Sequence, residues 1–155
     1  MARDLDATDE QILELLRENA RISIRALAEQ VHISRANAYA RVNRLQADGV
    51  IRRFTVDVDP VARGLTTSAY VTVNLRQPDW NATRDLLLQL PGVEHVAVVG
   101  GEFDVILLVR ARDNTDLRHL VLERIQGLPG VISTRTLLIF EEPTARRVIT
   151  LDDPD

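Results

Sequence analysis

The tetrapeptide Leu-Pro-Gly-Val occurs twice, at residues 90–93 and 128–131. Each copy closes a run that reads as a helix, "NATRDLLLQL" and "DNTDLRHLVLERIQGL", the latter starting near Asp113 or Asn114. Each copy also opens a run that reads as a strand, "PGVEHVAVVGG" and "PGVISTRTLLIFEE". The strand-like runs "TSAYVTVNL" and "EFDVILLVRA" precede the two helices, and alternation in the former sets Ala69, Val71, Val73 and Leu75 on one side. The order is therefore β-α-β-β-α-β. Two β-α-β halves with the same helix-to-strand turn predict a ferredoxin-like sandwich, one antiparallel four-stranded sheet with helices on one face. Both faces of "DVILLV" and "RTLLIF" are apolar, and helices cover only one. A homodimer joined through the other face is the simplest solution.

The N-terminal third has a different texture. "LDATDEQILELLREN" starts from Asp6 as N-cap, with Asp9 and Glu10 in the favourable first turn and Asn19 at its close. Ile12, Leu13 and Leu16 form its apolar stripe. "SIRALAEQV" starts from Ser23 and buries Ile24, Leu27, Ala28 and Val31. Three residues, "HIS", then separate it from "SRANAYARVNRL". Two short helices joined so tightly predict a helix-turn-helix. His32 occupies the bend, which asks for a positive φ that histidine tolerates better than most side chains. Ser34 is the N-cap of the following helix. Ile33 and Ala38 stand in the hydrophobic-staple arrangement, and Gly49 supplies the stop.

At about 100° per residue, Ala38, Val42 and Leu45 form the buried side of that third helix. Opposite lie Ala36, Ala40, Asn43, Arg44 and Ala47, flanked by Asn37 and Tyr39, with Arg35 and Arg41 at the boundary. The helix carries no carboxylate. Between Arg17 and Arg53 eight arginines face three acids, so this segment is positive inside a chain of net charge −4. Such asymmetry points to an anionic partner. Asparagine and arginine make two-point hydrogen bonds to purine edges in the major groove, and alanines let a backbone approach closely. The candidate DNA-contacting residues are Ser34, Arg35, Asn37, Tyr39, Ala40, Arg41, Asn43 and Arg44. Asn37, Tyr39, Asn43 and Arg44 are expected to read bases, and Arg35 and Arg41 to hold phosphates. All 19 basic residues are arginine, a bias that a GC-rich genome also produces.

The chain has no cysteine, which excludes disulfide frameworks, thiolate zinc sites and cysteine nucleophiles. No signal peptide or membrane-length apolar run is present, so a soluble cytoplasmic protein is expected, away from membranes. No nucleophile–base pair, metal-spaced cluster or phosphate loop suggests an enzyme, and nothing calls for a metal or cofactor. Trp80, His95 and His119 read as packing or structural residues. "EEPTARRVITLDDPD" reads as an extended or mobile tail, with Arg146 and Arg147 within reach of a partner subunit.

"LD..D..IL..L", "R.S...LA..V..S", "R...L...GVI" and "VDP...G", ending at Gly64, resemble the N-terminal domain of the Lrp/AsnC (feast/famine) bacterial transcription regulators. The resemblance continues to about residue 142. It implies an α+β chain with a winged-type helix-turn-helix domain at 1–52 and a linking strand or hinge at 53–65. A ferredoxin-like, ACT-like effector-sensing and oligomerisation domain follows at 66–142, then the tail at 143–155. It further implies Ser34 as the cap of the recognition helix, Arg41 as the family's arginine, and dimers that assemble into tetramers or octamers with small ligands between them. "GGEFD" at 100–104 matches the family's G-x-x-D. Gly100 and Gly101 allow close backbone approach, and Glu102 or Asp104 could hold an amino group; the bland alternative is a hairpin turn in which Asp104 satisfies backbone donors. Thr134 and Thr136 are candidates for the same cleft. The function expected is DNA-binding transcriptional regulation responding to a small amino acid or related metabolite. The alternative is a metabolite-binding module acting on a protein partner.

Overall fold

A computed structural model of the chain describes residues 4–76 and 80–142. The chain divides between Asp57 and Val58 into two compact units. This break falls inside the stretch expected to link them. The tail at 143–155, with Arg146 and Arg147, and the Trp80 side chain lie outside the described residues.

The first unit holds three helices, α1 (Ala7–Glu18), α2 (Ile24–Gln30) and α3 (Arg35–Ala47). Each begins where a side-chain oxygen takes an otherwise orphaned backbone N–H. Asp6 accepts from Asp9 at 2.8 Å, Ser23 from Ala26 at 3.1 Å and Ser34 from Asn37 at 3.2 Å. Asp6 and Asp9 close a reciprocal capping box, since the Asp9 carboxylate accepts from the Asp6 N–H. His32 has φ 54°, the left-handed bend that lets α3 turn away from α2 within three residues. Ile12, Leu27, Ala28, Val31, Ala38, Val42 and Leu45 make one small core, with Leu13, Leu16, Ile24 and Ile33 packed at its margin. Ile24 is thus only half-buried, because it stands in the first turn of α2 at the edge of that core. Among the described residues, 52–58 pair with no strand. Phe54, Val56 and Val58 are exposed there.

The second unit runs β1 (Thr67–Leu75), α4 (Trp80–Gln89), β2 (Val93–Val98), β3 (Val105–Ala111), α5 (Asn114–His119) and β4 (Val131–Ile139). Asp113 caps α5, which continues through a π-helical stretch at Leu120–Ile125. The sheet order is β2-β3-β1-β4 with every pairing antiparallel. Ala69, Val71, Val73, Val105, Leu107 and Val109 are buried against Leu87, Leu117, Val121 and Ile125 of the helices. The two Leu-Pro-Gly-Val copies adopt one geometry. Gly92 and Gly130 have φ of 90° and 86°. Val93 N–H donates to Leu90 O at 3.1 Å, and Val131 N–H donates to Leu128 O at 3.2 Å. Each glycine carbonyl then accepts from an arginine backbone N–H beyond the repeat, Arg110 at 2.8 Å and Arg76 at 2.7 Å.

The register sets the other face. Ser68, Tyr70 and Thr72 of β1 oppose Arg110, Leu108 and Ile106 of β3, and Ile139, Leu137 and Arg135 of β4. Tyr70 and Leu137 are exposed, Ile106, Leu108 and Ile139 half-buried, and no helix among the described residues covers them. Arg110 ties this face together: its guanidinium donates to Ser68 Oγ, Glu94 and Glu142. The Glu142 carboxylate, then Glu94, holds that guanidinium protonated beyond its ordinary range.

Candidate nucleic-acid interface and ligand turn

Helix α3 presents three strips. Ala38, Val42 and Leu45 face the core. Ala36, Tyr39, Ala40, Asn43 and Ala47 are all exposed on the outer side, Tyr39 by 60%. Asn37, Arg41 and Arg44 form the third strip, and it is not free. The Arg41 Nη1 donates to both Asp6 oxygens, at 2.9 and 2.7 Å, and to Asp9 Oδ1 at 2.7 Å. Its Nε donates to Asn37 Oδ1 at 3.2 Å. Arg44 Nη2 donates to Asp9 Oδ2 at 2.5 Å. Asp9 is 2% exposed. The helix that lacks carboxylates of its own therefore receives two from the capping box of α1. The Arg41 hydrogen bond draws the Asp6 carboxyl below its usual range, and Asp6 and Asp9 push Arg41 upward.

This geometry revises the division of roles read from the helix wheel. Arg44 and Arg41 were expected to face bases and phosphates, whereas both guanidinium groups are engaged inside the unit. Asn37, expected as a reader, supports Arg41. Ser34 is spent on capping. Arg25 pairs with Glu29 on α2. Of the eight arginines between Arg17 and Arg53, five, Arg17, Arg21, Arg35, Arg52 and Arg53, have no carboxylate partner among the described residues and carry the positive field of this segment. Sequence spacing held a signal for the pairing, since Asp6 and Asp9 are three apart and so are Arg41 and Arg44. Nothing local says that the two pairs meet.

In the second unit the turn between β2 and β3 holds Gly100 and Gly101. Both are exposed with open space where a Cβ would stand, and Gly101 has φ 139°. Asp104 is committed to the fold: its Oδ2 accepts from Leu75 N–H at 2.7 Å where the β1–β4 register shifts, and its own N–H donates to Val73 O at 3.1 Å. The backbone-satisfying alternative for Asp104 is the one present. Glu102 lies 3.7 Å from Arg135, whose guanidinium sits over the Phe103 ring at 5.4 Å. Thr134 and Thr136 do not join this group. They oppose Val73 and Val71 on the helix-covered side, where Thr134 accepts from Gln126 at 2.7 Å. Phe103 was missed because it fills a variable position of the "GGEFD" stretch, and Arg135 because it belongs to no motif.

Residues 5–52 match the winged helix-turn-helix DNA-binding family, and residues 68–149 match the Lrp/AsnC ligand binding domain. The chain belongs to the Lrp/AsnC family. Like other Lrp/AsnC proteins it is a DNA-binding transcriptional regulator with a ligand-binding domain, in a family of regulators and not enzymes. It is 43% identical over 143 residues to the HTH-type transcriptional regulator AldR of Mycolicibacterium smegmatis, covering 90% of this chain and 84% of the relative. It is 35% identical over 144 residues to an HTH-type transcriptional regulator of Pyrococcus furiosus, covering 90% and 95%. The family thus reaches archaea, and the bacterial origin suggested by the sequence resemblance is not decided by membership. A Neisseria meningitidis transcriptional regulator, solved as its L-Met complex, superposes with a TM-score of 0.84 at 25% identity over 96% of this chain and 98% of that one. No helix among the described residues is long and apolar enough to cross a membrane.

Proposed function

We propose that the outer side of α3 reads double-stranded DNA in the major groove, and that a small amino acid acting on the second unit regulates this binding. The observation that carries the DNA part is the composition of that side: three alanines, Tyr39 and Asn43, exposed and without a carboxylate. Tyr39, Ala40 and Asn43 contact bases in this reading. Arg35, at the first position of α3, and Arg52 and Arg53, at the exit of the unit, neutralise phosphates and set the register. Ser34 holds the helix N-terminus toward the backbone. Arg41 and Arg44 are assigned to orientation rather than contact.

The effector part rests on Glu102 and Arg135. A zwitterionic amino acid replaces their mutual contact by placing its carboxylate on Arg135 and its ammonium on Glu102, beside the open backbone of Gly100 and Gly101. The L-Met complex of the Neisseria relative supports this class. The uncovered face of the sheet, with Tyr70, Leu108 and Leu137, supports a homodimer, and dimers then join into tetramers or octamers.

Selection of bound fragments from genomic DNA tests the first part. A preferred duplex should emerge, and Asn43→Ala should cost about 1–3 kcal/mol there while relaxing one base position. Arg35→Ala should weaken all sequences alike and reduce the salt slope by about 1. Failure to enrich any sequence, with amino-acid binding retained, would favour a protein partner for the first unit. A melting panel with single amino acids tests the second part: one present at 100 times its Kd should add about 2.7 kcal/mol. Arg135→Ala should abolish that shift.

A further inference from the structure

Four polar side chains at the start of α1 and along α3 form a closed electrostatic unit. Two carboxylates, Asp6 and Asp9, meet two guanidinium groups, Arg41 and Arg44, so the cluster has no net charge. Asp9 is its centre. One oxygen accepts from Arg41, and the other accepts from Arg44 and from the Asp6 backbone N–H. All of this happens at a carboxylate almost wholly removed from water, where removing a partner charge is far costlier than at a surface. The two arginines stand one turn apart on α3, so bonds to a single fixed carboxylate define how α3 is rotated about its own axis. The strip they occupy lies about 100° around the helix from the outer side. An arginine side chain released there is long enough to swing to a phosphate beside the groove.

We infer that Asp9 is a specificity-determining positioning residue: by holding Arg44, and Arg41 together with Asp6, against α1 it keeps cations away from the phosphate backbone and fixes the rotation of α3. The inference rests on the reading of α3 as the helix that enters the groove. Its consequence concerns discrimination rather than strength. Phosphate contacts bind every sequence alike, so each arginine diverted from phosphate lowers indiscriminate affinity and leaves base contacts a larger share of the total. A rotationally fixed α3 keeps Tyr39 and Asn43 aimed at one set of base edges.

Asp9→Asn preserves shape and an oxygen for Asp6 N–H while removing the one charge that binds Arg44; Arg41 keeps its bonds to the Asp6 carboxylate. Full-length protein is titrated with a mixed-sequence duplex at several salt concentrations, and with the duplex that the unsubstituted protein selects. Asp9→Asn is expected to steepen the slope of log K against log salt by about 1 per head, since Arg44 is the arginine it frees. It should bind mixed-sequence DNA about tenfold tighter at low salt and lose a similar factor of discrimination. Arg44→Gln alone should leave the mixed-sequence slope unchanged, and adding it to Asp9→Asn should reverse the steepening. Circular dichroism establishes that each variant is folded; if Asp9→Asn is not, Arg44→Gln decides alone. An unaltered slope in folded Asp9→Asn overturns the inference. So does a slope reduced by about 1 in Arg44→Gln, since Arg44 would then already be on phosphate. The mixed-sequence slopes test Asp9 without a preferred site, whereas selectivity of the unsubstituted protein tests the reading of α3 itself.

Discussion

Asp6 serves two structures at once, closing the first turn of α1 and receiving Arg41 from α3. Because its carboxyl titrates below the ordinary range when folded, chiefly through the Arg41 hydrogen bond, its contribution has a defined sign. The stabilisation is fully present above the unfolded carboxyl pKa of about 3.9 and is lost as pH falls through the lower folded value. Melting of the protein across that acid range should therefore show a limb that Arg41→Gln flattens. An unchanged limb in that variant would separate Asp6 from Arg41. At this scale much was readable from the chain. Asp6, Ser23 and Ser34 are capping residues before apolar runs, and His32 is a plausible left-handed bend. The partners of Arg41 and Arg44 were not readable, because they lie 32 and 35 residues away and no periodicity encodes a side chain's long-range reach. Asp104 is a similar case, bonded to a backbone N–H 29 residues earlier.

Elements were easier, since their signals are local. Alternation in β1 marked its buried side, and the repeated turn marked both helix ends. The Leu-Pro-Gly-Val geometry also explains why glycine stands third in each copy. At Gly92 the backbone is left-handed, and an added Cβ would lie 2.8 Å from the Arg110 carbonyl oxygen. Gly92→Ala should cost about 2 kcal/mol or more, from strain and from moving β3 together. Gly100 has open space and no positive φ, so Gly100→Ala should change stability by less than about 0.5 kcal/mol. Urea midpoints of the two variants give the comparison directly. The stretch 53–65, expected as a linking strand or hinge, forms no paired strand among the described residues. A strand needs a neighbour, and the described residues offer Phe54, Val56 and Val58 none.

For the whole molecule the informative surface is the sheet face that the helices leave bare. Its apolar centre, Tyr70, Leu108 and Leu137, is flanked by Arg110, which is already satisfied by Ser68, Glu94 and Glu142. Leu137→Arg should leave the fold intact, because Leu137 is 52% exposed in the single chain. It should shift sedimentation from an assembly toward a monomer; an unshifted assembly would mean that copies join elsewhere. The apolarity of both strand faces made this surface readable from sequence, whereas its charged margin was not. Asp104 has a mechanical meaning as well. It pins the base of the β2–β3 turn, where its carbonyl accepts from Val99 N–H, to the end of β1. A molecule that lodges on Gly100 and Gly101 thus stands on a turn whose base is bonded directly to β1.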